Sequence, residues 1–221
     1  MPKRPVDPLG VMPLPHGSLL YSRRLLDALE VAAVMFAATR RKKTRIPYLA
    51  HLLGVCAIVL EQGGSEDEAI AALLHDTLED ITPTKRARKT VRAFGDDVYG
   101  IVLGCTDGTP NKKGKKAPWR ERKEAYIAGL GHEPGPVLLV SAADKLHNAR
   151  AIVADLRTSG DKAWRRFNAP KADILWYYDA LVETFRANPA HPVALVDELE
   201  RVVAVMRRLA GHVELQAGPH G

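Results

Sequence analysis

The sequence predicts an all-α fold, a compact helical bundle. Three observations carry that prediction. Apolar residues recur at helical spacing in segment after segment; glycines, prolines and capping residues punctuate the joins; and no alternating apolar pattern exceeds the short run 137–140, which its helical surroundings claim equally well. The chain has 221 residues, 46% hydrophobic and 26% charged. That is enough apolar material for a sizeable core, and it excludes the collagen, mucin and disulfide-scaffold classes.

Residues 1–17 are proline-rich, lack a period of 2 or 3.6, and are expected to form a flexible arm ahead of a domain over 18–188. The first helix is expected over 20–38, where Leu25, Leu26, Leu29, Val31, Val34 and Met35 repeat at helical spacing without Pro or Gly. After a basic patch at 40–45, Pro47 opens a second apolar helix reaching Leu60, and Gly63 and Gly64 end it. Ser65 and Glu68 have the spacing of a capping box heading a third helix, continuous over 66–80. Pro83 begins a fourth that runs toward Phe94 and stops at Gly95, and a short helix follows over 97–105. The stretch 106–118, with Gly108, Pro110, Gly114 and four lysines, reads as a mobile basic loop. Helices are then expected over 120–130, 136–157 and 172–187. Residues 189–212 hold a strongly amphipathic helix (192–209) packed on the same domain, before a flexible tail at 213–221.

Cys56 and Cys105 lie in apolar stretches, which suits buried thiols in a reducing compartment. No apolar run approaches ~20 residues and the first twenty residues lack a signal-peptide pattern, so a cytoplasmic protein that does not span a membrane is expected. A net charge of +6 attracts polyanions, without separating nucleic acid from a phosphorylated metabolite.

The third helix is the informative one. Residues 69–74 are apolar on every side, yet they lead straight into His75, Asp76, Glu79 and Asp80, whose i,i+3 and i,i+4 spacings place all four on one side of a helix. A buried unpaired carboxylate costs several kcal/mol unless an opposite charge or a metal cation compensates. The same anomaly recurs at Asp144, behind the apolar run 137–140, and at His51, between Leu49 and Leu52. Singly, each has an ordinary explanation: His51 as a satisfied core histidine, Asp144 as an ion pair with Lys145 or Arg150, Glu79 and Asp80 as a solvated helix end. One site built from three helices would account for all of them. His51, His75, Asp76 and Asp144 make a two-imidazole, two-carboxylate set that suits Mn²⁺, Fe²⁺ or Zn²⁺ with positions open for water.

These residues resemble the His…His-Asp…Asp signature of the HD-domain metal-dependent phosphohydrolases. The segments Arg41-Lys42-Lys43-Thr44-Arg45-Ile46-Pro47-Tyr48-Leu49-Ala50-His51, Ala71-Ala72-Leu73-Leu74-His75-Asp76-Thr77-Leu78-Glu79-Asp80 and Ala143-Asp144-Lys145-Leu146-His147-Asn148-Ala149-Arg150 resemble the hydrolase domain of the alarmone (ppGpp) hydrolases, the stand-alone small ones in particular. Similarity covers about residues 25–181. The resemblance implies an HD-domain helical bundle in which His51, His75, Asp76 and Asp144 hold one Mn²⁺. It also implies that Glu79 and Asp80 position and deprotonate the attacking water; two carboxylates this close are expected to raise each other's pKa. By the same resemblance, Arg41 and Lys42 contact the substrate, Asn148 lies near the sugar, and Tyr177, or its neighbour Tyr178, lines the nucleotide pocket.

The implied reaction converts ppGpp to GDP and pyrophosphate, and pppGpp to GTP and pyrophosphate. The chain departs from the family pattern at Phe36, Thr39 and Lys43, usually His, Gln and Gly, and the last change adds a charged side chain to a loop beside the expected pocket. Three rival readings stand: a phosphatase of another nucleotide such as the 2′-phosphate of NADPH, a basic helical protein that binds nucleic acid, and an alarmone sensor without turnover. The basic runs 85–89 and 112–116 (Lys112, Lys113, Lys115, Lys116) are read as solvated faces rather than substrate contacts.

Overall fold

The computed structural model describes residues 21–81, 84–108 and 116–216. The expected arm, Pro83, the lysines Lys112, Lys113 and Lys115, and residues 217–221 of the expected tail lie outside the described residues. Among those described, the chain is helical throughout, and extended pairing is limited to one antiparallel bridge between Arg40 and Pro47.

Helix α1 spans Arg23–Met35 and starts where the Ser22 hydroxyl accepts a hydrogen bond from the Arg24 N–H. Its buried face is made of Ala28 and Ala32, with Phe36 just beyond, while Leu26 and Val34 of the apolar repeat stand 56% and 71% exposed. Small residues therefore set the close approach of α1 to its neighbours. Helix α2 (Leu49–Glu61) buries His51, Leu52, Val55, Cys56, Ile58 and Val59. It ends at Gly63, whose φ of 76° is the left-handed conformation that glycine adopts without penalty.

The Ser65–Glu68 capping box forms at the head of α3 (Glu66–Leu74). The single helix expected over 66–80 is interrupted: His75 and Asp76 form a turn between α3 and a short α4 (Thr77–Asp80). Here the ladder tightens, with the Glu79 N–H reaching the Asp76 carbonyl at 3.2 Å before Asp80 N–H resumes normal spacing to the same oxygen at 3.0 Å. His75 keeps helical angles (φ −56°, ψ −35°), and the departure comes at Asp76 (φ −88°, ψ −1°), so the break redirects the chain after the two side chains are placed.

Helices α5 (Thr84–Arg92), α6 (Asp96–Cys105) and α7 (Trp119–Leu130) follow close to expectation. Helix α8 (Gly135–Ser159) is the axis of the bundle: every residue from Val137 to Leu146 is buried, and α2, α3, α6 and α10 pack around it. A 3-10 helix, Gly160–Arg166, which carries no sequence signature of its own, then leads to α9 (Lys171–Ala187) and α10 (Val193–Gln216). Helix α10 packs along α8 and α9 and extends past the expected boundary at 212. Both cysteines are buried free thiols, raised to about 11 by burial, as their apolar settings predict.

The segment joining α1 to α2 is held by Arg41 N–H to Ile46 C=O and Tyr48 N–H to Thr39 C=O, each 2.9 Å. At its tip Lys43 has φ 52°, the one positive φ among the described non-glycine residues. The glycine implied by the family pattern at this position thus has a backbone reason. The Lys43 ammonium donates to the Arg165 carbonyl at 2.6 Å rather than adding charge to the cavity described below. Replacing Lys43 by Gly is expected to leave the unfolding free energy unchanged or higher, and replacing it by Val to lower it by ~1–2 kcal/mol. Urea titration reads both, and equal losses for the two would contradict backbone strain.

Candidate metal centre

Four side chains predicted as ligands arrive at one place from α2, the α3–α4 turn and α8. His51 Nε2 lies 3.2 Å from Asp144 Oδ1 and 3.5 Å from Asp76 Oδ2, and His75 Nε2 lies 3.0 Å from Asp76 Oδ2 and 3.6 Å from Asp144 Oδ1. Atoms bound ~2.1 Å from one divalent ion stand ~3.0–3.4 Å apart at right or tetrahedral angles; His51, His75 and Asp76 offer ligand atoms all within 4.8 Å of one another, and Asp144 joins them through its approach to the two imidazoles. The protonation pattern fits as well. His75 Nδ1 lies 2.8 Å from the Ala72 carbonyl, which can only accept, so the ring proton sits on Nδ1. In the neutral ring Nε2 is then a lone pair, buried and, among the described residues, without a hydrogen-bond partner, facing carboxylate oxygens that also only accept. Lone pairs held this close require a cation between them, a proton or a metal ion.

Charge directions agree. Burial alone would depress the basicity of His75, but Asp76 and Asp144 beside it hold its imidazolium well above the ordinary range. Burial would raise both carboxyls, yet His75 and His51 hold Asp76 well below the ordinary range, and Lys145 with the two imidazoles does the same for Asp144.

Several contacts around this centre were not read from the sequence. The Tyr48 hydroxyl donates to Asp76 Oδ2 at 2.5 Å, and Phe36 stacks on Tyr48 with ring centroids 5.1 Å apart. Lys145 Nζ donates to Asp144 Oδ2 at 2.6 Å, so the ion-pair reading of Asp144 holds for Lys145, while Arg150 pairs instead with Glu198. The Asn148 amide donates to Asp144 Oδ1 at 2.6 Å and accepts from Arg41 at 2.8 Å. Position was the available signal for Lys145 and His147, which neighbour Asp144; Tyr48 offered only its place beside Pro47.

Glu79 and Asp80 sit within one turn of the dyad, and the expectation that they raise each other needs correction. Glu79 is raised to about 8 by burial and then by Asp107 and Asp76; its carboxylate accepts the Asp107 N–H at 2.7 Å. Asp107 is held at about 2: burial opposes this, but Lys123, which also bonds it, and Arg122 prevail. Asp80 is raised by burial and Asp76. Lys116 Nζ lies 3.3 Å from Glu79 Oε2 and 3.4 Å from Asp80 Oδ1, so this lysine is not on a solvated face.

A cavity of about 570 Å³ opens beside the centre, lined by Arg41, Lys42, His51, Asp80, Asn148 and Tyr177, among others; Tyr178 and Thr39 also line it. Glu79 is not part of this lining among the described residues. Lys42 is lowered by burial and by Arg122, Lys123 and Lys116, against the pull of Asp80, so this wall concentrates positive charge. Among the described residues, the buried Tyr177 hydroxyl has no hydrogen-bond partner.

The profile of the HD-domain family matches residues 28–172. The chain is 37% identical over 145 residues to guanosine-3′,5′-bis(diphosphate) 3′-pyrophosphohydrolase MESH1 of Xenopus tropicalis, covering 62% of this chain and 74% of that protein. It is 35% identical over 116 residues to the guanosine-3′,5′-bis(diphosphate) 3′-pyrophosphohydrolase of Aquifex aeolicus, of which it spans 16%. The solved structure of a metazoan SpoT ortholog that hydrolyses ppGpp superposes with a TM-score of 0.62 at 28% identity, covering 81% of this chain and 95% of that one.

The Glu79 shift sets a stability window. A carboxyl raised on folding favours the folded state below its ordinary value, and that contribution is lost as pH climbs to about 8. With chelator present, the parent is expected to lose a few kcal/mol more than Glu79→Gln between pH ~4.5 and ~8. Parallel stability curves for the two proteins would show that Glu79 carries no such shift.

Proposed function

This chain belongs to the HD-domain family, and on that premise we propose that it is a divalent-metal-dependent hydrolase that cleaves the 3′-diphosphate of guanosine 3′,5′-bis(diphosphate), releasing pyrophosphate and GDP, or GTP from the pentaphosphate. The observation that carries the proposal is the convergence of His51, His75, Asp76 and Asp144 beside a cavity whose wall is rich in cations. The names borne by the Xenopus and Aquifex relatives support the substrate.

His51, His75, Asp76 and Asp144 would hold the ion, Mn²⁺ in this proposal. Bound there, a divalent ion polarises phosphoryl oxygens and makes water acidic enough to attack near neutral pH. Asp80, on the cavity wall, takes the proton of the attacking water, and Glu79, raised to about 8 and therefore largely protonated at neutral pH, returns one to the 3′ oxygen as its bond to phosphorus breaks. Arg41 and Lys42 neutralise the diphosphates, Arg41 through the planar fork that suits phosphate oxygens. Asn148 faces the sugar, and Tyr177 forms part of the nucleoside wall. No helix among the described residues is long and apolar enough to cross a membrane. The two unpaired buried thiols support a reducing, cytoplasmic setting.

Purified protein with Mn²⁺ is expected to release pyrophosphate from ppGpp, to stop when chelator is added, and to lose ~10²–10⁴-fold in kcat in Asp80→Asn with KM little changed. Orthophosphate release from NADPH in place of pyrophosphate from ppGpp would transfer the chemistry to another nucleotide. Binding of ppGpp without turnover would identify a sensor.

A further inference from the structure

Two imidazoles meet behind the centre. His51 Nδ1 and His147 Nδ1 lie 3.0 Å apart with ring centroids at 4.8 Å, so one proton lies between them. A third group decides which ring carries it. Arg41 Nη1 lies 3.3 Å from the same His147 Nδ1, and a guanidinium only donates. His147 Nδ1 must therefore present its lone pair, and His51 must be the donor. With its proton on Nδ1, His51 has a free lone pair at Nε2, the atom that faces Asp144 and Asp76.

The backbone makes room for this arrangement. Gly54, three residues after His51 on α2, is where an added Cβ would fall 2.3 Å from His147 Nε2 and 2.4 Å from its Cδ2. Alanine is the better residue inside a helix, yet it could be placed here only by driving the ring away. The same Arg41 guanidinium bonds Asn148, which bonds Asp144, so one cation braces two ligands through two intermediaries.

We propose that His147 is a positioning residue that fixes the tautomer and aim of His51, with Gly54 as the space that admits it; the inference rests on the metal-dependent reading above. The test is the Mn²⁺ affinity of the full chain, measured by electron paramagnetic resonance titration, with thermal unfolding in chelator as the control for folding. His147→Phe, which keeps a ring but cannot accept a proton, and Gly54→Ala, which displaces the ring, are each expected to weaken Mn²⁺ binding 10–100-fold. His147→Asn, whose amide oxygen can accept from His51, should stay within a few-fold of the parent. Parent-like affinity in His147→Phe, or an Asn variant as weak as Phe, overturns the assignment. Should His147→Phe fail to fold, Gly54→Ala decides alone, and unchanged affinity there overturns it as well. A parent that binds no Mn²⁺ would instead bring down the metal-centred reading itself, and this assignment with it.

Discussion

The interaction on which the structure depends is the confrontation of two imidazole lone pairs with two carboxylates in a buried place. In the neutral ring His75 Nε2 is a lone pair, because the Nδ1 proton is committed to the Ala72 carbonyl, and the oxygens around it cannot donate either, so a second proton or a metal ion must stand between them. Left alone, that arrangement repels itself; with a cation at its centre, every contact becomes attractive. The fold is arranged to hold the four groups in place. Helix α8 is buried on all sides along Val137–Leu146, so Asp144 cannot swing to solvent. At the α3–α4 turn His75 Nε2 and Asp76 Oδ2 stand 3.0 Å apart.

Around the centre, charge is layered by sign. The ligands attract positive charge inward, while Lys42, Lys116, Arg122 and Lys123 lie around Asp80, Glu79 and Asp107. Of these, Lys42 and Lys123 line the cavity itself, together with Arg40 and Arg41. Asp107 stays ionised because Arg122 and Lys123 bond it, and burial first, with ionised Asp107 second, keeps Glu79 protonated into the neutral range. The division of labour within the Glu79–Asp80 pair thus comes from the deeper burial of Glu79 and its carboxylate neighbour. Arg41 ties the outer wall to the inner site, since its bonds lead to His51 and to Asp144.

Most of the helices and all four ligand candidates were legible in the sequence, for one physical reason: ionisable groups inside apolar helices are costly, and their positions stand out without any contact map. The interruption at His75 was not legible, because the residues on both sides have helical spacing and the gain from breaking the ladder appears only when Asp144 and His51 arrive from elsewhere. The exposure of Leu26 and Val34 was hidden likewise, since the periodicity of α1 allows either its leucines or its alanines to face inward, and packing chose Ala28 and Ala32. Lys116 and Asp107 were lost in segments read as loop, where composition reports charge but not what it faces. Lys43 reversed the relation: its departure from the family pattern was visible, and only the backbone angle explains why glycine suits that position.

The account is tested most directly by calorimetric titration of the chelator-stripped protein with Mn²⁺ in buffers of different ionisation enthalpy. One ion per chain should bind, with release of the proton that His75 holds in its absence, and the saturable step should disappear in Asp144→Asn. Binding without proton release, or binding of equal strength in that variant, would show that the ion is held elsewhere.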